Sequence, residues 1–393
     1  MNRRSLRSFA ASIAALTLLA VQPSPVRTDY AVPSPLPPGP PGTLLRQRPL
    51  QNGAALPGAA RNVLLLYITR SPLGRRVAAS GTLAIPRGTP PPGGWPLVSW
   101  AHGTTGNAPQ CAPSRDPIPN IEQRMLVDWL RAGYAVAQTD YEGEGTPGIH
   151  PYFDAVASTH DLTDIVRAAR RIDPEIGHRW IVMGHSEGGT ATIAAAAGAP
   201  GWAPHLDLVG AVAYAPASHI ARSLRIMAHS TSASPILPLV AMMIEGIGLA
   251  DPSIDLTRVL SASALRHQPE LQRRCAGALM RNLWWSATPT DRYFRRPLAI
   301  GPLLADFRRN DPGRLAPKVP LLLVQGSADT MVGPAATADL RAQLCLRGVN
   351  VALRSISGGT HDSILQSAQR SVLRWVAARF ARAPAHSSCG DVP

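Results

Sequence analysis

Lysine is almost missing from this chain. Lys318 is the only one, although Lys and Arg together number 39 against 25 Asp and Glu in 393 residues. The net charge of +14 is therefore arginine. No stretch concentrates those arginines among aromatics as a nucleic-acid face would, since Arg273-Arg274, Arg295-Arg296 and Arg308-Arg309 are separate pairs. The charge reads as spread over a solvated surface, and no nucleic-acid partner is expected. HExxH, paired CxxC and the P-loop are also missing, so no metal and no nucleotide cofactor is expected. Asp140, Glu142 and Glu144 crowd the loop DYEGEG, but their spacing is not that of an EF-hand. That loop reads as structural or site-lining rather than as a calcium site. No internal repeat is found.

Long apolar runs are absent too. Phe9–Val21 is apolar, follows Arg3, Arg4 and Arg7, and ends before Pro23. It is too short to cross a bilayer and fits an export signal over residues 1–21, which leaves Sec and twin-arginine export open. The stretch SASPILPLVAMMIEGIGLA is interrupted by two prolines and Glu245, which argues against a membrane span. Cysteines number four: Cys111, Cys275, Cys345 and Cys389. In a secreted or periplasmic protein an even count implies two disulfides, and three pairings are open.

Residues 22–60 are rich in proline and glycine (PSPLPPGPPG) and are expected to be extended or wrapped on the surface. Beyond them, NVLLLYIT and VAASGTLAI around the turn SPLG predict a hairpin. The apolar runs PLVSWA, YAVAQ, WIVM, VGAVAY, VPLLLV and VALRSI then alternate with helical patterns, among them residues 154–172 and 363–380. Continuous apolar strands alternating with helices predict an α/β fold, its central sheet mostly parallel and flanked by helices on both faces. Residues 217–312 break the rhythm with short helix-like pieces and read as an inserted helical cap over the sheet's carboxyl edge. The catalytic domain is then 61–216 with 313–383, and 384–393 is a tail.

One motif carries chemistry. GHSEG, residues 184–188, fits G-x-S-x-G with a strand before it and a helix after it. A serine in so sharp a turn needs very small neighbours, and its hydroxyl then stands above the sheet. Ser186 is the candidate nucleophile. A serine hydroxyl needs a base, and the base needs an orienting acid, in the chain order Ser, Asp or Glu, His for this strand–turn–helix context. QGSADTMV puts Asp329 in the loop after one strand, and SGGTHDSI puts His361 in the loop after the next. Asp362 is the alternative acid, but it adjoins the histidine and begins a helix, where a carboxylate caps. His185, inside the turn, reads as a local packing or hydrogen-bonding group. The oxyanion donors are expected to be the backbone N–H groups of Glu187, at the helix start, and Thr104, in AHGTTG after the third strand of the run.

AHGTTG, DYEGEGTPGIHPY, GHSEGG, a helical insertion, QGSADTMV and GGTHDS, in that order, resemble the secretory lipase family, the lipase A type of α/β-hydrolase. The resemblance covers roughly residues 64–380. It implies a Ser186–Asp329–His361 triad, hydrolysis of carboxylic esters including acylglycerols, and a cap that binds the acyl chain; a lipid–water interface is an expected partner. Ile236, Leu237, Leu239, Val240, Met242 and Met243 are the candidate acyl contacts. It also implies disulfides Cys111–Cys275 and Cys345–Cys389. Glu187 departs from the family pattern, where an uncharged residue often follows the serine. Two alternatives stand beside an esterase. One is a same-fold hydrolase, an aminopeptidase with Glu187 or Glu245 holding the substrate amine or a polyester hydrolase. The other is a catalytically silent scaffold that binds a hydrophobic ligand.

Overall fold

The computed structural model describes residues 28–115 and 120–391; the expected export signal lies outside them. Three antiparallel strands open the sheet: β1 (Leu44–Pro49), β2 (Arg61–Arg70) and β3 (Arg76–Ile85). Next come β4 (Trp95–Ala101), α1 (Asn120–Arg131), β5 (Ala135–Glu142), α2 (Ala155–Ile172), β6 (Ile176–His185), α3 (Glu187–Trp202) and β7 (Asp207–Tyr214). A helical insertion follows, with α4 (Ile220–Met227), α5 (Leu237–Ala250), α6 (Leu256–Val259), α7 (Ala262–Leu271), α8 (Ala276–Met280), α9 (Leu283–Ala287) and α10 (Gly301–Arg309). The sheet then resumes with β8 (Leu321–Gly326), α11 (Pro334–Leu346), β9 (Val351–Ile356), α12 (Ile364–Ser367) and α13 (Gln369–Phe380).

The nine strands lie in the order β1-β2-β3-β5-β4-β6-β7-β8-β9. From β5 to β9 every pairing is parallel. Parallel strands are buried on both faces, which is why β5 and β8 read as unbroken buried runs. α2, α3 and α11 cover one face, and α1, α12 and α13 the other. The chain leaves β4 toward β5 and returns on the far side of β4 as β6. That reversal opens a crevice at the strands' carboxyl ends, where α/β sheets place their ligands.

Local chemistry sets the element ends. Asp154 caps α2, its carboxylate accepting from the Val156 and Ala157 N–H groups at 2.9 and 2.8 Å, and Arg170 and Arg171 close its last turn. The strands expected at YAVAQ and WIVM run further, to Glu142 and from Ile176, because pairing on both sides extends them past their apolar cores. The single helix expected over 363–380 divides at Ala368 into α12 and α13.

Part of the proline-rich arm, expected to be extended or wrapped on the surface, is built into the sheet. β1 within it adds an antiparallel edge strand to β2, and Tyr30, Leu50 and Leu56 are buried. Arginines and a terminal proline blunt that edge, as exposed strands require.

The insertion has its own core, around Leu237, Met242, Ile244, Leu260, Trp285 and Phe307. Two disulfides pin the outer parts. Cys111–Cys275 joins the loop after β4 to the start of α8 across 164 residues, and Cys345–Cys389 ties the tail to α11 across 44. The tail lies along β9, Ser388 N–H donating to the Val351 carbonyl at 2.8 Å. In the chain-entropy model such loops are worth about 5 and about 4 kcal/mol. Replacing Cys111 and Cys275 by Ala is expected to lower Tm by roughly 5–10 °C, more than the same change at Cys345 and Cys389; calorimetry of the two variants checks the order.

Candidate active site

β6 hands over to α3 through Ser186, whose backbone sits at φ 58°, ψ −117°. A non-glycine residue there is strained by about 1–3 kcal/mol, and the surroundings must hold it. They do so with Ser186 N–H donating to the Tyr214 carbonyl at 2.9 Å, while the Ser186 carbonyl accepts from Thr190 and Ala217 N–H at 3.2 and 3.3 Å. The neighbours have no room for side chains. A Cβ on Gly188 would stand 2.0 Å from the Ala101 carbonyl oxygen, and one on Gly184 2.3 Å from that of Gly188. The glycines flanking the serine thus let the turn pack against β4.

Asp329 and His361 stand on the loops after β8 and β9, the two strands beyond β7 in the sheet. His361 Nδ1 and Asp329 Oδ2 are 2.8 Å apart. Asp329 Oδ1 accepts from the Met331 and Val332 N–H groups, each at 2.9 Å. Burial by itself would push this carboxyl up. The hydrogen bond and charge of His361 and the two loop N–H donors outweigh it and hold the group below the usual aspartate range. The alternative acid, Asp362, is exposed. His185 takes the bracing role expected of it: its Nε2 donates to the His361 carbonyl at 2.9 Å, and the two rings are 4.5 Å apart. His185, His361 and Asp362 bring one ligand-type atom each within 4.8 Å of one another, but two of the four imidazole nitrogens already serve these bonds.

The loop after β4 lies against this turn, a Cβ on Gly103 falling 3.5 Å from Ser186 Cβ. Thr104, Ser186 and Glu187 line one cavity of about 850 Å³ including its mouth. Its other walls are largely apolar, contributed by the insertion and by the loop after β8. Of the expected acyl contacts, Ile236, Leu239, Val240 and Met243 line it. Leu237 and Met242 do not: both are fully buried in the insertion's own core, on another face of α5. Ile220, Leu224 and Met227 of α4, Phe153, and Met331 and Val332 also line the cavity and were not expected. Only Met331 and Val332 had a sequence signal, their place in the loop that carries Asp329.

Two acids of DYEGEG, Asp140 and Glu144, brace the surrounding loops. Asp140 accepts from Ser80 Oγ at 2.5 Å, from Ser114 N–H at 2.9 Å and from the Ser114 hydroxyl. Glu144 accepts from Thr105 Oγ1 at 3.2 Å and lies 3.4 Å from His102 Nε2. Burial, then the charges of Glu187 and Asp140, push the Glu144 carboxyl well up. Burial lowers His102, against the pull of its bond to the Gly103 carbonyl. Glu187, also buried, has both carboxylate oxygens engaged: Oε1 is 2.7 Å from His150 Nε2, and Oε2 accepts from Thr104 Oγ1 at 2.8 Å. Glu245 accepts from Asn107 at 2.6 Å and Gln272 at 2.9 Å and does not line the cavity.

A serine held above a sheet edge, an Asp-bound imidazole on a neighbouring loop and an apolar cavity can together perform acyl transfer. Comparison with known proteins agrees in kind. A family model described as secretory lipase matches residues 118–388. A protein of Mycobacterium tuberculosis (strain CDC 1551 / Oshkosh) described as a "Probable inactive lipase" is 25% identical over 364 residues, covering 88% of this chain and 79% of its own. The fold is similar to that of Candida antarctica lipase A, with TM-score 0.79 and 18% identity over 94% of this chain and 89% of that one. It is similar also to that of the rice cell wall degrading esterase LipA from Xanthomonas oryzae, with TM-score 0.70 and 21% identity over 88% of this chain and 98% of that one.

Proposed function

The chain belongs to the secretory lipase family, a lipase/esterase group of α/β-hydrolases, and from that premise we propose that it cleaves carboxylic esters through an acyl-enzyme on Ser186. Ser186 Oγ attacks the ester carbonyl while His361 Nε2 takes its proton. The Thr104 and Glu187 backbone N–H groups receive the oxyanion. Collapse expels the alcohol, which takes the proton back from His361. Water, deprotonated by His361, then attacks the acyl-enzyme, and collapse expels Ser186 Oγ, which takes that proton from His361 as the carboxylic acid leaves. Asp329 fixes the tautomer and stabilises the imidazolium.

The observation that carries this reading is the 2.8 Å Asp329–His361 pair at the same sheet edge as a strained serine that opens into a cavity. Residues 61–216 and 313–383 are the catalytic domain in this proposal, and 217–312 the cap. Ile236, Leu239, Val240 and Met243 are its acyl contacts. The partly exposed Met331 at the mouth suits contact with a lipid–water interface. Export by the N-terminal segment completes the proposal; the two disulfides and the family fit an extracellular protein.

The aminopeptidase reading loses its support, because the carboxylates of Glu187 and Glu245 are taken up by protein donors. The silent-scaffold reading draws on the relative described as inactive. Against it stand Ser186, Asp329 and His361, all present in this chain. Purified protein is expected to turn over p-nitrophenyl esters between acetate and palmitate, with rates at least about 100-fold above the matching p-nitroanilides. Absence of turnover at every chain length would sink the esterase reading and favour the scaffold.

A further inference from the structure

The two backbone N–H groups assigned to the oxyanion belong to Thr104 and Glu187, on separate segments of the chain. Their side chains are hydrogen-bonded to each other: Thr104 Oγ1 donates to Glu187 Oε2 at 2.8 Å. The other carboxylate oxygen of Glu187 faces His150 Nε2 at 2.7 Å, with both residues buried. His150 in turn is clamped between rings, stacked on Tyr141 at 4.7 Å and meeting Tyr152 edge-on at 4.5 Å. We propose that this chain, His150–Glu187–Thr104, sets the width of the oxyanion hole and makes all three side chains positioning residues for ester hydrolysis.

The physical reason is stereochemical. Glu187 is fixed by α3, whose first residue it is. Thr104 stands on an irregular loop whose neighbours His102 and Thr105 are held by hydrogen bonds to Tyr141, Ala276 and Glu144, and its own side-chain bond to Glu187 is the one that ties the loop directly to α3. An oxyanion donor works only within a few tenths of an ångström of its ideal distance. The hydroxyl–carboxylate bond, at an ordinary 2.8 Å, couples the loop to the helix that carries the second donor. A carboxylate so near a developing negative charge would by itself oppose catalysis. The donors from His150 and Thr104 occupy both of its oxygens and offset that charge. A glutamine at this position would offer the same acceptor to Thr104, so the bond does not require the charge.

The inference rests on the esterase reading and is tested beside it. Thr104→Val, Glu187→Ala, Glu187→Gln and the Val/Ala double variant are compared with wild type and Ser186→Ala, on a p-nitrophenyl ester that the wild type cleaves. Inhibition by an alkylboronic acid, which mimics the tetrahedral state, is measured in parallel. Thr104→Val and Glu187→Ala should each lower kcat about 10–100-fold with KM within about threefold. Boronate affinity should fall in step with kcat. The double variant should be no worse than the poorer single, and Glu187→Gln should recover most of the activity. Thermal unfolding confirms that each variant is folded; if Glu187→Ala is not, Thr104→Val and Glu187→Gln carry the test.

Wild-type kcat in Thr104→Val, additive losses in the double variant, or a rise in KM with kcat unchanged overturns the inference alone, provided that the wild type is active and Ser186→Ala is not. A wild type that neither hydrolyses esters nor is labelled at Ser186 by an alkyl phosphonate overturns both readings.

Discussion

Ser186→Ala is expected to lower ester turnover by about 10⁴–10⁶-fold and to leave the unfolding temperature nearly unchanged. The first half follows from the chemistry: with no hydroxyl in the turn, water must attack unassisted, and only the oxyanion donors and the cavity remain to help. The second half follows from the backbone. The strain at φ 58° comes from the turn, and alanine bears it about as serine does. The turn is held by the backbone bonds to Tyr214, Thr190 and Ala217, which the substitution keeps. Initial rates and calorimetry on the same preparation check both halves. Residual activity within 100-fold of wild type would move the nucleophile elsewhere.

Asp329→Asn is expected to have the second large effect, a fall in kcat of about 10⁴-fold. An amide in that position presents either an N–H or a carbonyl to His361 Nδ1. It carries no charge to stabilise the imidazolium, and it can select the wrong tautomer. The same substitution alters the acid limb of stability. The Asp329 carboxyl titrates lower in the folded protein than in the unfolded chain. Its contribution is therefore complete above the unfolded value of about 3.9 and disappears as pH falls through the folded value. In the asparagine variant that part of the acid loss is missing, so Tm measured between about pH 5 and pH 2 should fall less steeply than in wild type. Identical slopes would mean that the His361 bond does not favour the charged carboxylate.

The proposed triad was legible in the sequence because each member follows a strand whose apolar run is unmistakable, and glycine-rich loops mark where those strands end. Strand ends at one edge of a parallel sheet bring distant residues together, so Ser186, Asp329 and His361 could be grouped without a structure. The cap contacts were legible only in part. Ile236, Leu239, Val240 and Met243 follow the spacing of one helical face, and Leu237 and Met242 lie off it. α5 is apolar around its circumference, so nothing in its pattern said which face looked into the cavity. β1 was hidden in the arm because LLRQRP lacks a strand's alternation and its partner lies in the next hairpin. The His150–Glu187–Thr104 chain was hidden for a different reason. It joins three loops or loop–helix junctions, and no spacing rule relates them.

The Cys111–Cys275 bridge does more than tie the helical insertion down. Beside it, the Ala276 N–H donates to the Thr105 carbonyl at 2.7 Å, one residue from Thr104, the proposed oxyanion donor. The insertion is thus fastened to the body one residue from a donor of the proposed oxyanion hole. The shape of that corner depends on two parts of the chain 164 residues apart, so the bridge that secures the fold also secures the proposed transition-state geometry.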